Sequence, residues 1–277
     1  MRFTKMHGIG NSYIYINCFN EEVKNPSALA REISDKNFGV GSDGLVLIIP
    51  SDKADFKMRI FNADGSEAEM CGNGIRCLGK YVYDHKMTNK EKITVETLSG
   101  IKTLDLYIGD GKVGKVRVNM GCPTLERGDI PMKGQEGRVI NEELEVDDKT
   151  FNITCVSMGN PHCVIYVDDV RSFPVEKYGP LIETSTLFPN RTNVEFVQMI
   201  NSKEVEIKTW ERGSGETLAC GTGASAVTVA GVLNHKTERI LLTHLKGGDL
   251  EIEWKEDNSV YMKGPAREIF TGEWNLG

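Results

Sequence analysis

Short alternating runs dominate this chain. Phe56–Phe61 and Glu204–Trp210 set an apolar side chain at every second residue, the pattern of a strand with one face buried. Ile93–Leu98, Ile101–Tyr107 and Val113–Asn119 read as strands in the same way, as do Arg239–Thr243, Asp249–Trp254 and Ser259–Lys263. Leu45–Ile49, Asn152–Ser157, Cys163–Val167 and Val194–Ile200 are further strands, and the first seventeen residues predict two more around a turn at Gly8–Asn11. Helical spacing is rarer. Asn25-Pro26 supplies a cap and a first helical position, Leu29, Ala30 and Ile33 form the apolar face, and Gly39 ends the segment. Ile75, Leu78 and Val82 predict a helix after Cys71, and Pro174–Thr184 predicts one interrupted at Gly179-Pro180. The segment from Gly223 to Leu233 has no charged side, so it belongs inside its domain.

The pattern occurs twice. Strand, Gly/Ser turn and cysteine-led helix appear as F-N-A-D-G-S-E-A-E-M-C-G-N-G-I (61–75) and again as W-E-R-G-S-G-E-T-L-A-C-G-T-G-A (210–224). Superposing the cysteines gives an offset of 149 (220 − 71 = 149), which also lays Gly10-Asn11 on Gly159-Asn160 (159 − 10 = 149). Two motifs sharing one offset imply two homologous halves. The expected fold class is α+β: two pseudo-symmetric domains from internal duplication, each a mainly antiparallel sheet of about seven strands wrapped on a central helix. The active site is expected in the cleft between them. Residues 1–120 form the expected N-terminal domain, joined by a C-terminal strand within 264–277, and residues 121–263 the second.

Composition narrows the function. A net charge of −7 with no basic stripe argues against nucleic acid. No apolar run is long enough to span a membrane, and there is no leader-like segment at the N-terminus. Seven cysteines at irregular spacing, none in C-x-x-C, read as reduced thiols of a cytoplasmic protein with no metal site. Gly39–Gly44 spells G-x-G-x-x-G, but it follows a helix and precedes a strand, the reverse of a dinucleotide fingerprint, and reads as a turn.

The chemistry lies at the two cysteines. A thiol at a helix start meets unpaired backbone N–H groups and the positive end of the helix dipole, which favour its thiolate and can hold a carboxylate. Two such thiols suit inversion of a carbon stereocentre: one removes a proton from one face and the other returns one to the opposite face. That chemistry asks for no cofactor, and no cofactor motif is visible.

The segments M-H-G-I-G-N-S (6–12), N-A-D-G-S-E-A-E-M-C-G-N-G-I-R-C (62–77), M-G-N-P-H (158–162), R-T-N-V-E-F (191–196), E-R-G-S-G-E-T-L-A-C-G-T-G (211–223) and G-P-A (264–266) closely resemble the diaminopimelate epimerase family, in order along nearly the whole chain. The resemblance implies cofactor-independent interconversion of LL- and meso-diaminopimelate, in lysine and peptidoglycan precursor synthesis, by a homodimer. It makes Cys71 and Cys220 the acid/base thiols. Gly72-Asn73 and Gly221-Thr222 would bind the carboxylate of the reacting centre, Asn11, Asn62, Asn160 and Asn193 would hydrogen-bond substrate, and Arg212 would grip the distal carboxylate. Glu211 would hold an ammonium group, and His162 with Glu211 would poise the thiols. Gly44 departs from relatives that carry glutamine there.

Set against these readings, Cys18, Cys77, Cys122, Cys155 and Cys163 are expected to be packed, inert thiols, and Phe61 and Trp210 core residues. His7 is expected to shape a loop or serve the site. Glu67 and Glu216 are as readily structural as substrate-binding. Two alternatives stay open: another racemase or epimerase of the same fold, proline-racemase-like or PhzF-like, and a redox-regulated protein in which Cys71 and Cys220 form a disulfide.

Overall fold

The structure, a computed structural model, describes residues 1–275. In chain order the first elements are β1 (Arg2–Gly8), β2 (Asn11–Asn17), α1 (Pro26–Ser34), β3 (Gly44–Ile49), β4 (Phe56–Asn62), β5 (Glu67–Ala68), α2 (Gly72–Asp84), β6 (Lys92–Thr97), β7 (Gly100–Gly109) and β8 (Lys112–Gly121). Then come β9 (Glu142–Val146), β10 (Lys149–Ser157), β11 (Pro161–Tyr166), α3 (Val175–Glu183), β12 (Asn193–Asn201), β13 (Glu204–Glu211), β14 (Gly215–Thr217), α4 (Gly221–Leu233), β15 (Ile240–Leu245), β16 (Gly248–Trp254), β17 (Val260–Pro265) and β18 (Arg267–Glu273). They form two compact units: Met1–Asn119 with the segment that begins at Lys263, and Met120–Met262.

In the first unit the strands pair in the order β18-β1-β2-β3-β4-β6-β7-β8, all antiparallel except β2–β3 and β4–β6. The sheet curls round α2, which touches β1, β2, β4, β7 and β18, while α1 lies on β3 and β4. The second unit runs β9-β10-β11-β12-β13-β15-β16, with β11–β12 and β13–β15 parallel, and curls round α4. The offset carries over to whole helices: α1 starts at 26 and α3 at 175, α2 at 72 and α4 at 221, and both differences are 149. This is the α+β, duplicated architecture expected from the pattern.

Local chemistry accounts for the elements. Asn25 caps α1, its side chain accepting from Ala28 N–H at 3.1 Å, and Pro26 opens the helix. Leu29, Ala30 and Ile33 then pack with Ile14, Leu45, Leu47 and Phe61, each large apolar side chain contributing about 1.5–3 kcal/mol by leaving water. The glycine- and β-branched-rich α4 has weak intrinsic helix propensity. Burial holds it, and its hydroxyls are satisfied within the helix, Ser225 on Gly221 C=O at 2.9 Å and Thr228 on Ala224 C=O at 3.1 Å.

Two sequence expectations change. The helix expected to break at Gly179-Pro180 is continuous, with Pro180 inside α3. The reason is tertiary: a Cβ on Gly179 would lie 2.6 Å from Trp210 Cγ, so the bare backbone beds α3 on that ring. Trp210 itself is half-buried, its indole N–H donating to Glu183 at 2.8 Å. The second change concerns thiols: Cys122 is exposed and Cys18 half-buried, whereas Cys77, Cys155 and Cys163 are buried as expected. Among the described residues no helix is long and apolar enough to cross a membrane.

Candidate active site

In the first unit, the β1–β2 hairpin turns at Ile9 and Gly10, both with positive φ (46° and 91°), and delivers Asn11 at the start of β2. His7 Nδ1 accepts from Gly10 N–H at 3.1 Å, so His7 shapes this turn. Cys71 is the N-cap of α2. Its sulfur accepts from Gly74 N–H at 3.4 Å, and its S–H faces Asn11 Oδ1 at 3.4 Å. Asn62 ends β4 and donates to Ser66 Oγ at 3.0 Å. Asn73 turns inward, its Oδ1 accepting from the fully buried Arg76 guanidinium at 2.8 Å, and Arg76 also donates to the carbonyls of Gly72 and Pro265.

The second unit repeats the frame with different side chains. Gly159, at φ 93°, turns β10 into β11 and presents Asn160, which donates to Thr222 Oγ1 at 3.3 Å. His162 is fully buried between Asn160 Oδ1 (3.0 Å) and Glu195 Oε1 (2.8 Å). Cys220 is the N-cap of α4 and lies 3.4 Å from Thr222 Oγ1. Asn193 donates to Pro161 C=O at 2.8 Å and accepts from Arg212 N–H at 3.0 Å, which orients the backbone that carries Arg212. The exposed Arg212 guanidinium donates to Asn190 C=O at 3.1 Å. Glu211 accepts from Thr217 Oγ1 at 2.5 Å.

Electrostatics revise one expectation. Burial pushes the Cys71 thiol above its ordinary range, against the Gly74 N–H, the Tyr13 hydroxyl and the Arg76 guanidinium, which favour the thiolate. Burial pushes Cys220 well above that range, and the Glu211 and Glu195 carboxylates add to the effect. Burial therefore outweighs the helix start at both sulfurs and favours the protonated thiol. Burial also raises the Glu211 carboxyl.

Three residues without an assigned role complete these clusters. Tyr13 sits two residues after Asn11, hence on the same face of β2. Arg76 is an arginine within an otherwise small or apolar helix start, and Glu195 is a carboxylate inside the apolar run N-V-E-F-V. Each stands out against its surroundings, which is the signal that finds it. Glu67 and Glu216 make ion pairs, with Arg59 at 2.7 Å and Lys246 at 3.5 Å. Gly44 has no room for a side chain, since a Cβ there would lie 2.1 Å from Phe61 C=O. Among the described residues no group of three or more His, Cys, Asp or Glu side chains is placed to hold a metal ion.

Comparison with known proteins places these residues in a lineage. The diaminopimelate epimerase of Acetivibrio thermocellus is 59% identical over 277 residues, covering 100% of this chain and 99% of the relative. That of Methanococcus maripaludis is 56% identical with 100% of both chains covered, and that of Leptospira biflexa 52% with 99% and 98% covered. Among solved structures, a Bacillus anthracis phenazine biosynthesis protein of the PhzF family superposes with a TM-score of 0.74 at 16% identity, covering 100% and 99% of the two chains. A probable proline racemase from Agrobacterium radiobacter reaches 0.70 at 12% identity, covering 100% and 93%. These structures share the fold. A profile of the family described as diaminopimelate epimerase matches residues 3–126 and 154–269. With that match and relatives above half identity along the full length, the chain belongs to the diaminopimelate epimerase family, a family of isomerases.

Proposed function

We propose that this chain interconverts LL- and meso-diaminopimelate by two-base proton transfer, in the cytoplasm, with Cys71 and Cys220 as the acid/base pair and no cofactor. The observation that carries the reading is the repeated N-cap cysteine, 149 residues apart (220 − 71 = 149), in a chain of this family. One sulfur, as thiolate, takes the α-hydrogen as a proton; the electron pair stays on carbon as a carbanion; the S–H of the other cysteine then protonates the opposite face. Reversal exchanges the roles. Backbone N–H groups at Gly72, Asn73, Gly221 and Thr222, in the first turns of α2 and α4, suit the substrate's α-carboxylate, where they offset charge as the carbanion forms. Arg212, exposed and held from behind by Asn193 and Asn190, suits the distal carboxylate bidentately. Glu211 suits an ammonium group, and Asn11, Asn62 and Asn160 offer further hydrogen bonds. Burial favours the protonated form at both sulfurs, so one thiol must first lose its proton to solvent to become the base.

The test is LL-diaminopimelate in deuterated buffer. Deuterium is expected at one α-carbon together with conversion to the meso isomer, and Cys71→Ala and Cys220→Ala should each abolish net epimerisation. Absence of exchange by the wild-type protein, with exchange of proline or hydroxyproline instead, would overturn the reading. A homodimer is part of the proposal, supported by β18, whose Ile269 and Phe270 are exposed. Sedimentation that finds a monomer at all concentrations refutes that part.

A further inference from the structure

Glu195 lies on β12 beside β11, with its side chain fully buried and one oxygen, Oε2, without a hydrogen-bond partner among the described residues. Such a group costs free energy unless something else is gained. What it touches is the head of a chain of polar contacts. Glu195 Oε1 meets His162 Nδ1 at 2.8 Å, His162 Nε2 meets Asn160 Oδ1 at 3.0 Å, Asn160 Nδ2 donates to Thr222 Oγ1 at 3.3 Å, and Thr222 Oγ1 lies 3.4 Å from Cys220 Sγ.

The chain has a direction. Asn160 gives its N–H to Thr222, so its carbonyl oxygen must accept, and His162 Nε2 must carry hydrogen. That leaves Nδ1 facing Glu195 Oε1. Thr222, already accepting from Asn160, has its own O–H free for the sulfur. We propose that Glu195 is a positioning residue for proton transfer at Cys220: by fixing the orientation of His162 it aims, through Asn160, the Thr222 hydroxyl at the sulfur. Hydrogen bonds linked in one sense polarise one another, so loss of the head is felt at the tail.

The opposite effect comes from the field of the carboxylate, which disfavours a thiolate at Cys220, as that of Glu211 does. Glu211 and Cys163 are the other titratable groups facing this cluster. The direction of change therefore separates the two roles. The inference rests on Cys220 being an acid/base thiol, but its test uses iodoacetamide and needs no diaminopimelate. Failure of the wild-type chain to exchange the α-hydrogen would sink the proposed function and leave this test standing.

Alkylation of Cys220 at pH 8 is followed by peptide mass spectrometry, with Cys71 as internal reference. Expected is a slowing of about tenfold in Glu195→Met and about threefold in Glu195→Gln, with Cys71 unchanged and no further slowing when either is combined with Thr222→Val. Glu195→Gln keeps the shape of the side chain and decides alone if Glu195→Met does not fold. Cys220 reacting faster or at the wild-type rate overturns the proposal, as does an equal slowing in the Thr222→Val background.

Discussion

Gly74 and Gly223 occupy the same position in the two halves (223 − 74 = 149), yet their surroundings differ. A Cβ on Gly223 would lie 2.6 Å from Glu195 Oε1 and 3.3 Å from Cys220 Sγ, whereas on Gly74 it would meet nothing closer than Ile60 Cδ1 at 3.4 Å. Gly223→Ala should therefore displace the sulfur and its carboxylate neighbour and lower kcat about a hundredfold, the cost of a misplacement near 1 Å. Gly74→Ala should keep kcat within about threefold, since the small gain in helix propensity there meets little obstruction. Steady-state kinetics of both variants check the contrast, and equal losses would refute it. Cys77 offers a prediction about pH. Burial raises its thiol from 9.0 to about 12. Below pH 9 the thiol is protonated in the folded and unfolded chain alike, and its contribution is intact. Between pH 9 and 12 only the unfolded chain gives up the proton, so stability falls, by up to about 4 kcal/mol from a shift of this size. Cys77→Ala should be less stable than wild type at pH 8 because of the cavity, and urea titrations should show that deficit vanish by pH 11.

At the scale of elements, α1 provides the cleanest case of local rules acting alone. Asn25→Ala removes the acceptor for Ala28 N–H and should cost about 1 kcal/mol, seen as a lower urea midpoint with unchanged slope. α1 was legible because cap, proline and apolar spacing agree. α4 was legible for a different reason: with no charged side, it can only be buried. The continuity of α3 was not, because the cause lies thirty-one residues away (210 − 179 = 31), where Trp210 accepts the bare Gly179 backbone. The strand β9, E-E-L-E-V, alternates but gives a weak signal, being short and preceded by a polar tract. The same limit applies to the candidate site. The cysteines and asparagines stand in recognisable motifs, but Glu195 and Arg76 matter through what they touch. Burial also opposes the thiolate that a helix start favours, since a helix start is visible in a sequence and the desolvation opposing it is not.

For the molecule as a whole, one number was legible from the start. The offset of 149 read from two motifs holds for α1 and α3 and for α2 and α4, so duplication explains the order of strands as well as the cysteines (175 − 26 = 149; 221 − 72 = 149). The strands flanking β1 and β10 break the repeat. β10 is flanked by β9, the segment just before it in the chain, while β1 is flanked by β18 from the other end. Met1 and Trp274 exchange backbone hydrogen bonds at 2.9 and 2.7 Å, and Phe270 packs edge-on against Phe3, which belongs to the first unit's core. Truncation after Pro265 removes these bonds and leaves β1 as an open edge. Each unit has its own apolar cluster, so the damage should be local. In hydrogen exchange, β1, β2 and β3 of the truncated chain should lose at least tenfold of their protection, about 1.4 kcal/mol, while β10 to β13 stay within about twofold of the full chain. Equal loss in both sets would mean that the two cores unfold as one cooperative body, and that the duplicated halves no longer keep separate stabilities.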